Sequence, residues 1–195
     1  MASFQLKGKG GIVKKHIMNY ETLLKVTKAL SMSKDPKEII RISVVSVTET
    51  LDVKGCALYL VNAQNNELEL ASSYGLSDAY LAKGPVSASR SVAKSLTEGP
   101  VAIYDVMDDP RVQYAKEAHI EGIVSILSVP IYVRGTVIGA MRVYTAEHWE
   151  FTLDDVNFVQ ALAEIAGIVI DLTRLIEGQN AYIDILESIK ESREM

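Results

Sequence analysis

The chain has 195 residues, of which 48% are hydrophobic and 23% charged, proportions that are typical of a globular protein with room for one domain and short extensions. Its net charge of -5 argues against a broad nucleic-acid-binding surface, which would need an excess of Lys and Arg. The single cysteine, Cys56, excludes an internal disulfide framework. No apolar run approaches the roughly 20 residues that would span a bilayer. We therefore expect a cytoplasmic protein that binds neither nucleic acid nor membrane.

The first part of the chain predicts two helices behind a basic arm. Residues 1–16 combine lysines with glycines, and we expect a flexible, solvated arm there. Apolar residues at spacings of three and four predict an amphipathic helix over residues 17–30. A second helix is predicted over residues 36–51, because Asp35 is a suitable N-cap and Pro36 suits the first helical position.

Two strand pairs are predicted further along the chain. Residues 56–61 form a short apolar run and residues 67–74 alternate in polarity, which predicts a hairpin around the turn residues between them. Residues 101–104 are long enough only for an edge strand. The segment 122–144 contains two apolar, β-rich runs joined at Arg134 and Gly135, and it predicts a second hairpin.

Two short helices are predicted between the hairpins. Residues 87–96 favour a helix that stops at Gly99. Residues 110–120 follow an Asp-Pro start signal at Asp109, and Gly122 is placed to end that helix. Its largely polar surface indicates a helix that covers another part of the molecule.

The last predicted helix is the longest. Thr152 and Asp155 form a capping-box pattern at its start, and apolar residues follow at alternating spacings of four and three: Phe158, Leu162, Ile165, Val169, Leu172 and Ile176. Gly178 either breaks this helix or weakens it by up to about 1 kcal/mol. The apolar stripe continues in a helical extension over residues 178–195, where a partner chain is the expected acceptor.

This order of elements predicts an α+β fold, with a central, mostly antiparallel sheet and helices on both of its faces. The terminal helices are expected on one side of the sheet, where they would form a bundle in a two-fold homodimer.

The sequence resembles the GAF domain family, a class of small α/β modules in sensor proteins related in shape to PAS domains. The resemblance covers most of the chain, and we assign residues 17–177 to the GAF-like domain. It is carried by the order of five stretches: the Asp-Pro-Lys-Glu helix start, the CALYLV and ELELASSYGL hairpin, residues 105–111, the run from Gly122-Ile-Val-Ser to Gly135-x-x-Ile-Gly139, and Phe151-x-x-x-Asp155.

The resemblance implies a regulatory or signalling module that binds a small molecule between the sheet and the loops before the last hairpin. Members transmit ligand occupancy through terminal helices in a dimer. For this chain we expect an unidentified small metabolite, a homodimer through the terminal helices, and a separate output protein as recipient of the signal.

The sequence departs from the family's better-known ligand sites, and these departures argue against several classes of ligand. Cyclic-nucleotide-binding relatives carry an Asn-Lys pair before Phe-x-x-x-Asp-Glu, and residues 144–150 contain neither, while Val156 replaces the Glu. Bilin-carrying relatives need a pocket cysteine, and Cys56 lies instead in a predicted core strand. Relatives that reduce free methionine sulfoxide need a nucleophilic cysteine with resolving partners. No cofactor and no catalytic residue is therefore assigned.

Two alternatives to a sensor module stay open. The first is an enzyme related to the free methionine sulfoxide reductases, and the second is a ligand-free dimerisation domain whose pocket is filled by its own side chains. The sequence carries no zinc, phosphate-loop or Ser-His-Asp pattern, and the acidic residues near Asp105 lack the spacing of a calcium loop. No metal site is therefore predicted.

The candidate ligand-binding residues are polar or aromatic side chains near the expected pocket. Arg111 and Arg90 could each bind an anionic ligand, although Arg111 could instead pair with the neighbouring aspartates. Ser125 and Ser128 should lie on opposite faces of their strand, so that one faces the cavity or finds a backbone partner. The full candidate set is Tyr74, Arg90, Ser91, Asp105, Arg111, Tyr114, His119 and Ser125.

Overall fold

The computed structural model of the chain describes residues 20–33, 35–88 and 98–194, together with their side chains except those of Tyr20 and residues 185–194. The helices in this part are α1 (Tyr20–Met32), α2 (Pro36–Leu51), α3 (Asp78–Leu81), α4 (Ala115–Ile120) and α5 (Leu153–Glu194). The strands are β1 (Gly55–Asn62), β2 (Glu67–Tyr74), β3 (Val86–Ser87), β4 (Val101–Ile103), β5 (Ser125–Val133) and β6 (Thr136–Thr145).

The strands form a six-stranded sheet in the order β3-β2-β1-β6-β5-β4, and each neighbouring pair is antiparallel. The two predicted hairpins are β1–β2 and β5–β6, and they meet where β1 pairs with β6. The short strand β4 lies at the edge, as its length predicted. The α+β class with a mostly antiparallel central sheet is therefore confirmed.

The sheet separates two apolar clusters. One cluster, which we call the helix-packed face, joins alternate residues of β1, β5 and β6 to α1, α2 and α5; Leu58, Leu127, Met141 and Leu162 are among its members. The other, which we call the lid face, joins the intervening strand residues to α3, α4 and nearby loops. Because side chains alternate along a strand, each of the central strands contributes to both faces.

The helix starts agree with the capping patterns in the sequence. The Asp35 carboxylate accepts a hydrogen bond from the Lys37 amide at 2.9 Å, and Pro36 occupies the first helical position of α2. At α5 the capping box is reciprocal: the Thr152 amide donates to the Asp155 carboxylate at 2.8 Å, and the Asp155 amide donates to the Thr152 hydroxyl at 3.2 Å. These side chains satisfy amides that the helix itself leaves without partners.

The predicted helix over residues 110–120 is wrong in its first half. The structure begins α4 only at Ala115, because the Asp109 carboxylate accepts the Arg111 amide at 2.9 Å and closes a local turn. The end of the helix is as predicted, since the Gly122 amide bonds to the His119 carbonyl with a φ of +76° at Gly122.

Other local differences concern the connections and the glycine of the last helix. The sequence interpretation missed α3, which Ser77 caps through the Tyr80 amide, and the two-residue strand β3. The helix predicted over 87–96 falls almost wholly outside the described residues, although Ser87 itself belongs to β3. Gly178 does not break α5, which continues to Glu194.

The last helix extends well beyond the sheet. It has 42 residues, a length of roughly 60 Å at the usual helical rise. Its buried side chains end at Ile170, and apolar side chains beyond that point are exposed: Leu172, Leu175, Ile176, Tyr182 and Ile183. Among the described residues, no helix combines the length and the apolar character that crossing a bilayer requires.

Candidate functional site

A charged side chain, Arg142, lies on the lid face near the middle of the sheet. Arg142 belongs to β6, and its register partners are Ala57 of β1 and Ser128 of β5. Directly opposed strand residues share a face, as do alternate residues along one strand. Tyr59 and Tyr144, two positions along from Ala57 and Arg142, therefore lie on the same face, and both belong to the lid-face cluster.

The Arg142 guanidinium is buried, and no described residue supplies a counter-charge to it. The residue is 6% exposed, and its Nε and Nη2 atoms have no hydrogen-bond partner in the described part of the chain. None of the ion pairs between described residues includes it. Its Cζ lies 5.3 Å from the centroid of the Tyr59 ring, a cation–π contact that offsets part of the cost of burying the charge. The contact leaves the Nε–H and Nη2–H groups without acceptors among the described residues.

Three tyrosines surround this charge. The Tyr59 hydroxyl is buried and makes no hydrogen bond of ordinary geometry to a described residue, although it lies close enough to the Tyr144 hydroxyl to contribute to the raised pKa of Tyr144. The rings of Tyr80, from α3, and Tyr144 meet edge to face with centroids 5.9 Å apart. Burial is the main cause that raises the pKa of both Tyr80 and Tyr144, while the Arg142 charge acts in the opposite direction. The two hydroxyls are therefore neutral at ordinary pH and can donate hydrogen bonds.

A second cation, Lys83, lies two residues after the end of α3. Its Nζ atom is 3.8 Å from the centroid of the Tyr80 ring and donates a hydrogen bond to the Tyr80 carbonyl at 3.2 Å. Burial, and after it the Arg142 charge, lowers the pKa of Lys83 to about 8, although Glu117 and Glu121 favour the protonated form. We call Arg142, Lys83, Tyr59, Tyr80 and Tyr144 the cationic cluster.

The nearby carboxylates are engaged elsewhere or exposed. Glu121 accepts hydrogen bonds from the amide and hydroxyl of Ser77, and the Lys54 ammonium lies 3.6 Å from it. Glu117 is exposed on α4. Neither forms an ion pair with Arg142, so the positive charge of the cationic cluster is not neutralised by them.

The cationic cluster is the candidate site because of what its unpartnered groups can bind. Nε–H and Nη2–H lie on one edge of the Arg142 guanidinium, and this edge matches the two oxygens of a carboxylate or phosphate. A buried donor without an acceptor costs about 1–3 kcal/mol, and more when it is charged. A polar ligand on the lid face would therefore gain hydrogen bonds that the described residues do not provide.

Arg111 and Asp105, two residues predicted to bind ligand, form ion pairs outside this cluster. The Arg111 guanidinium binds Asp109 through Nε at 2.9 Å and Nη2 at 2.6 Å, and it donates to the Ala102 carbonyl at 3.3 Å. This guanidinium is the main cause that lowers the pKa of Asp109. Asp105 accepts from the amide of Met107 and lies 2.8 Å from His148 Nε2.

Tyr114 and Ser125 are held by backbone groups. The Tyr114 hydroxyl donates to the Pro85 carbonyl at 2.7 Å. Ser125 is fully buried, its hydroxyl donates to the Tyr104 carbonyl at 2.6 Å, and it accepts the Trp149 amide at 3.0 Å. Ser125 thus takes the backbone partner that the sequence predicted for one of the two serines, and Ser128 is the one beside Arg142.

The other predicted site residues are more scattered. Tyr74 pairs with Cys56, which places it at the exposed end of β2 on the helix-packed side. His119 is exposed in the last turn of α4. Arg90 and Ser91 lie outside the described residues. A ligand-binding role for any of the eight candidates stays a prediction.

Sequence reasoning missed the residues of the cationic cluster. Arg142 stands in the apolar run GAMRVY of a strand predicted for the second hairpin. A charge flanked by apolar residues in a buried strand is expensive unless it has a function or a partner, and that signal could have identified Arg142. Tyr80 and Lys83 could not be placed beside it, because α3 was not predicted.

The described residues offer few other reactive or metal-binding groups outside the cationic cluster. Cys56 is fully buried on the helix-packed face, and burial raises the pKa of its thiol, which suppresses the reactive thiolate. Within the described ranges, no cluster of three or more His, Cys, Asp and Glu side chains could hold a metal ion. A shallow recess of about 150 Å³ lies near Lys54 and Trp149, away from the cationic cluster.

Solved structures with the same fold include GAF domains of phosphotransferases and an enzyme. The GAF domain of a phosphoenolpyruvate-protein phosphotransferase from Coxiella burnetii is similar with a TM-score of 0.73 at 19% identity, over 82% of this chain and 96% of that one. The corresponding Acinetobacter domain gives 0.69 at 20% identity, over 82% and 96%. Free methionine-R-sulfoxide reductase from Neisseria meningitidis, in complex with its substrate, gives 0.69 at 20% identity, over 80% and 90%.

The sequence itself supports the same family. No curated protein matches this chain. The family model of the GAF domain matches residues 33–171, which is more than half of the chain and includes the whole sheet. Identities near 20% establish a shared fold without a shared ligand. The chain belongs to the GAF domain family.

Proposed function

We propose that the chain is a regulatory module that binds a small metabolite on the lid face, at the cationic cluster. The observation that carries this proposal is the buried guanidinium of Arg142, whose Nε and Nη2 atoms have no hydrogen-bond partner among the described residues. Ligand sites in proteins are largely apolar and contain a few convergent polar groups. The lid face fits that description, since apolar residues such as Ile126 and Val101 accompany the polar ones.

Strand β6 provides a direct link from the site to the last helix. Arg142 faces the lid side, whereas Met141 and Val143, its neighbours in the chain, pack on the helix-packed face. Phe158 and Leu162 of α5 belong to the same cluster as these two residues. A ligand that shifts β6 would therefore change the packing of α5, because only one layer of side chains separates the strand from the helix.

The exposed part of α5 supports a homodimer as the form that transmits the signal. The side chains of Leu172 and Ile176 are 50% and 56% exposed, and the described side chains beyond them, over residues 177–184, are exposed too. A second copy of the same helix could cover this apolar stripe in a two-fold bundle. The recipient of the signal would then be a separate output protein.

The position of the one thiol favours this role over that of a thiol-dependent enzyme. The reductase from Neisseria meningitidis shows that an enzyme can share the fold. In the present chain, however, the one thiol is Cys56, which is buried on the face opposite to the cationic cluster. A nucleophile would have to be accessible and activated, and Cys56 is neither.

Thermal unfolding of the purified chain against anionic, neutral and cationic metabolites would test the proposal. A ligand at about 100 times its dissociation constant should raise the midpoint by about 5–10 °C for a chain of this size. Backbone amide resonances of the lid face and of β6 should shift with it, and sedimentation should show a changed dimer equilibrium. A panel in which no compound of any charge stabilises the chain would contradict a sensor and favour a dimerisation domain.

A further inference from the structure

We propose that the ligand is an anion, and that Arg142 binds its carboxylate or other oxyanion side-on through Nε and Nη2. This inference rests on the proposed function, because it names the chemical class that the same site would accept. It would not follow for a module whose lid face binds nothing.

The first argument is the geometry of the unpartnered atoms. An arginine offers several donor edges, and the two buried donors of Arg142 without acceptors belong to the same edge. Two parallel N–H groups on one edge match the spacing of two oxygens on a carboxylate or phosphate, and such bidentate pairs are among the strong hydrogen bonds of proteins. A single carbonyl or hydroxyl oxygen of a neutral ligand would have to accept both N–H groups at once, with poorer geometry and without an opposite charge.

The second argument is charge. Arg142 and Lys83 bring two cations to the lid face, and Lys83 is within the electrostatic influence of Arg142. The carboxylates that counter Lys83 are Glu117 and Glu121, and Glu121 is already held by Ser77 and Lys54. An anion would neutralise the buried guanidinium, whereas a cationic ligand would add to the repulsion.

The third argument is space and the surrounding donors. The two residues that flank Arg142 across the sheet, Ala57 and Ser128, have short side chains, so the strand row places no bulky side chain beside the guanidinium. The buried hydroxyl of Tyr59 lies near the Tyr144 hydroxyl, makes no hydrogen bond of ordinary geometry to a described residue, and could donate a third hydrogen bond to the anion. The aromatic rings of Tyr80 and Tyr144 would contact the carbon part of the ligand.

The test uses the full chain and four sodium salts: acetate, succinate, inorganic phosphate and, as the ionic-strength control, chloride. Thermal midpoints are measured across a concentration series, and the Nε–H resonance of Arg142 is followed by nitrogen-proton correlation spectroscopy. Arg142→Lys identifies that resonance and keeps the charge without the two-donor edge. Arg142→Met removes the charge, and Arg41→Met is the matched control, because Arg41 is exposed on α2.

We expect the thermal midpoint to rise, saturably, with an oxyanion and not with chloride. The Arg142 Nε–H resonance should shift over the same concentration range. Arg142→Met should weaken that binding by about 10- to 100-fold, as expected for losing charge-assisted hydrogen bonds, while Arg41→Met should not. Arg142→Lys should fall between them. A stronger response to acetate and succinate indicates a carboxylate ligand, and a stronger response to phosphate indicates a phosphate ester.

Two results would overturn the proposal in different ways. If neutral or cationic metabolites stabilise the chain and Arg142→Met leaves that effect intact, the anionic class is wrong while the sensor function stands. If oxyanions stabilise the wild type and Arg142→Met equally, the anion binds elsewhere. Circular dichroism of each variant verifies that it is folded, and Arg142→Lys gives the answer if Arg142→Met does not fold.

Discussion

At the scale of single residues, Arg142 is the feature that most distinguishes this chain from an ordinary α+β core. Its neighbours in the chain, Met141 and Val143, contribute to the packing with α5, and its own side chain lies on the other face of the sheet. A buried charge lowers stability unless it is paired. Retaining one at the centre of a sheet is therefore more consistent with binding than with packing.

Arg142→Met is expected to keep or increase the stability of the ligand-free chain. The substitution removes two buried donors without acceptors and keeps a side chain of similar length, so the free energy of unfolding should rise by about 1–3 kcal/mol or stay unchanged. Urea unfolding in chloride buffer measures this. Arg41→Met, at an exposed position, should change stability by less than about 0.5 kcal/mol. A large loss of stability in Arg142→Met would show that the arginine is structural.

Lys83 should make the stability depend on pH in the alkaline range. Its pKa is lowered from 10.5 to about 8 by burial and then by Arg142, opposed by Glu117 and Glu121. The unfolded chain therefore binds more protons between these two values, and the free energy of unfolding gains a positive slope there. The loss of folding free energy that comes from keeping Lys83 protonated in the folded state is fully present below pH 8. It becomes smaller as the pH rises towards 10.5.

The difference between wild type and Lys83→Met isolates this contribution from that of the tyrosines. Chemical unfolding at several pH values from 7 to about 10 should show a steeper rise in the wild type than in Lys83→Met. Lys37→Met is the control, because Lys37 is exposed near the start of α2, and it should keep the wild-type slope. Parallel curves for wild type and Lys83→Met would mean that Lys83 is solvated.

At the scale of elements, two glycines of α5 separate the packed part of the helix from the free part. A Cβ at Gly167 would lie 2.8 Å from the Tyr132 carbonyl oxygen of β5, so Gly167 allows the helix to approach the sheet. A Cβ at Gly178 would meet nothing within 4 Å. The absence of a side chain is therefore needed for close packing at position 167 and is not needed at position 178.

Alanine at these two glycines should change stability in opposite directions. Gly178→Ala should raise the stability of α5 by about 0.5–1 kcal/mol, because alanine loses less backbone entropy in a helix. Gly167→Ala should destabilise the chain by about 1–3 kcal/mol, since the helix must move away from β5. Thermal and urea unfolding of both variants measure this. A neutral Gly167→Ala would mean that α5 is loosely packed on the sheet.

At the scale of the whole molecule, the most prominent feature is the length of α5. Its first part packs on the sheet, and its later part presents exposed leucine and isoleucine side chains. An isolated helix gains little stability from propensity alone, so an extended apolar stripe is best explained by a partner helix. The homodimer remains a prediction that a direct measurement can settle.

Leu172→Glu should convert a homodimer into a monomer. A carboxylate in the apolar stripe would be buried without a partner in the bundle, so the dissociation constant should rise by at least about 100-fold. Sedimentation equilibrium measures this. Arg174→Gln alters the net charge by the same amount nearly on the opposite side of the helix and should leave the dimer intact. An unchanged oligomeric state in Leu172→Glu would place the interface elsewhere or exclude it.

The sequence alone determined the elements whose signals are local. The caps at Asp35 and Thr152, the two hairpins, and the apolar spacing of the last helix depend on residues a few positions apart, and the family resemblance rests on their order. A local signal did not form the predicted element where another local hydrogen bond competed with it. The Asp109 carboxylate formed a turn with Arg111 instead of starting a helix there.

The site was decided only by the tertiary structure. Tyr59, Tyr80 and Arg142 come from β1, α3 and β6, and Lys83 follows α3. Their proximity results from the pairing of β1 with β6 and from the position of α3 above the sheet. The predicted site residues Arg111 and Asp105 pair instead with Asp109 and His148, respectively. No spacing in the sequence indicated that Asp105 and His148 would meet. Covalent neighbours determine helices and turns, whereas the partner of a charge depends on which strands meet, and that is a property of the folded chain.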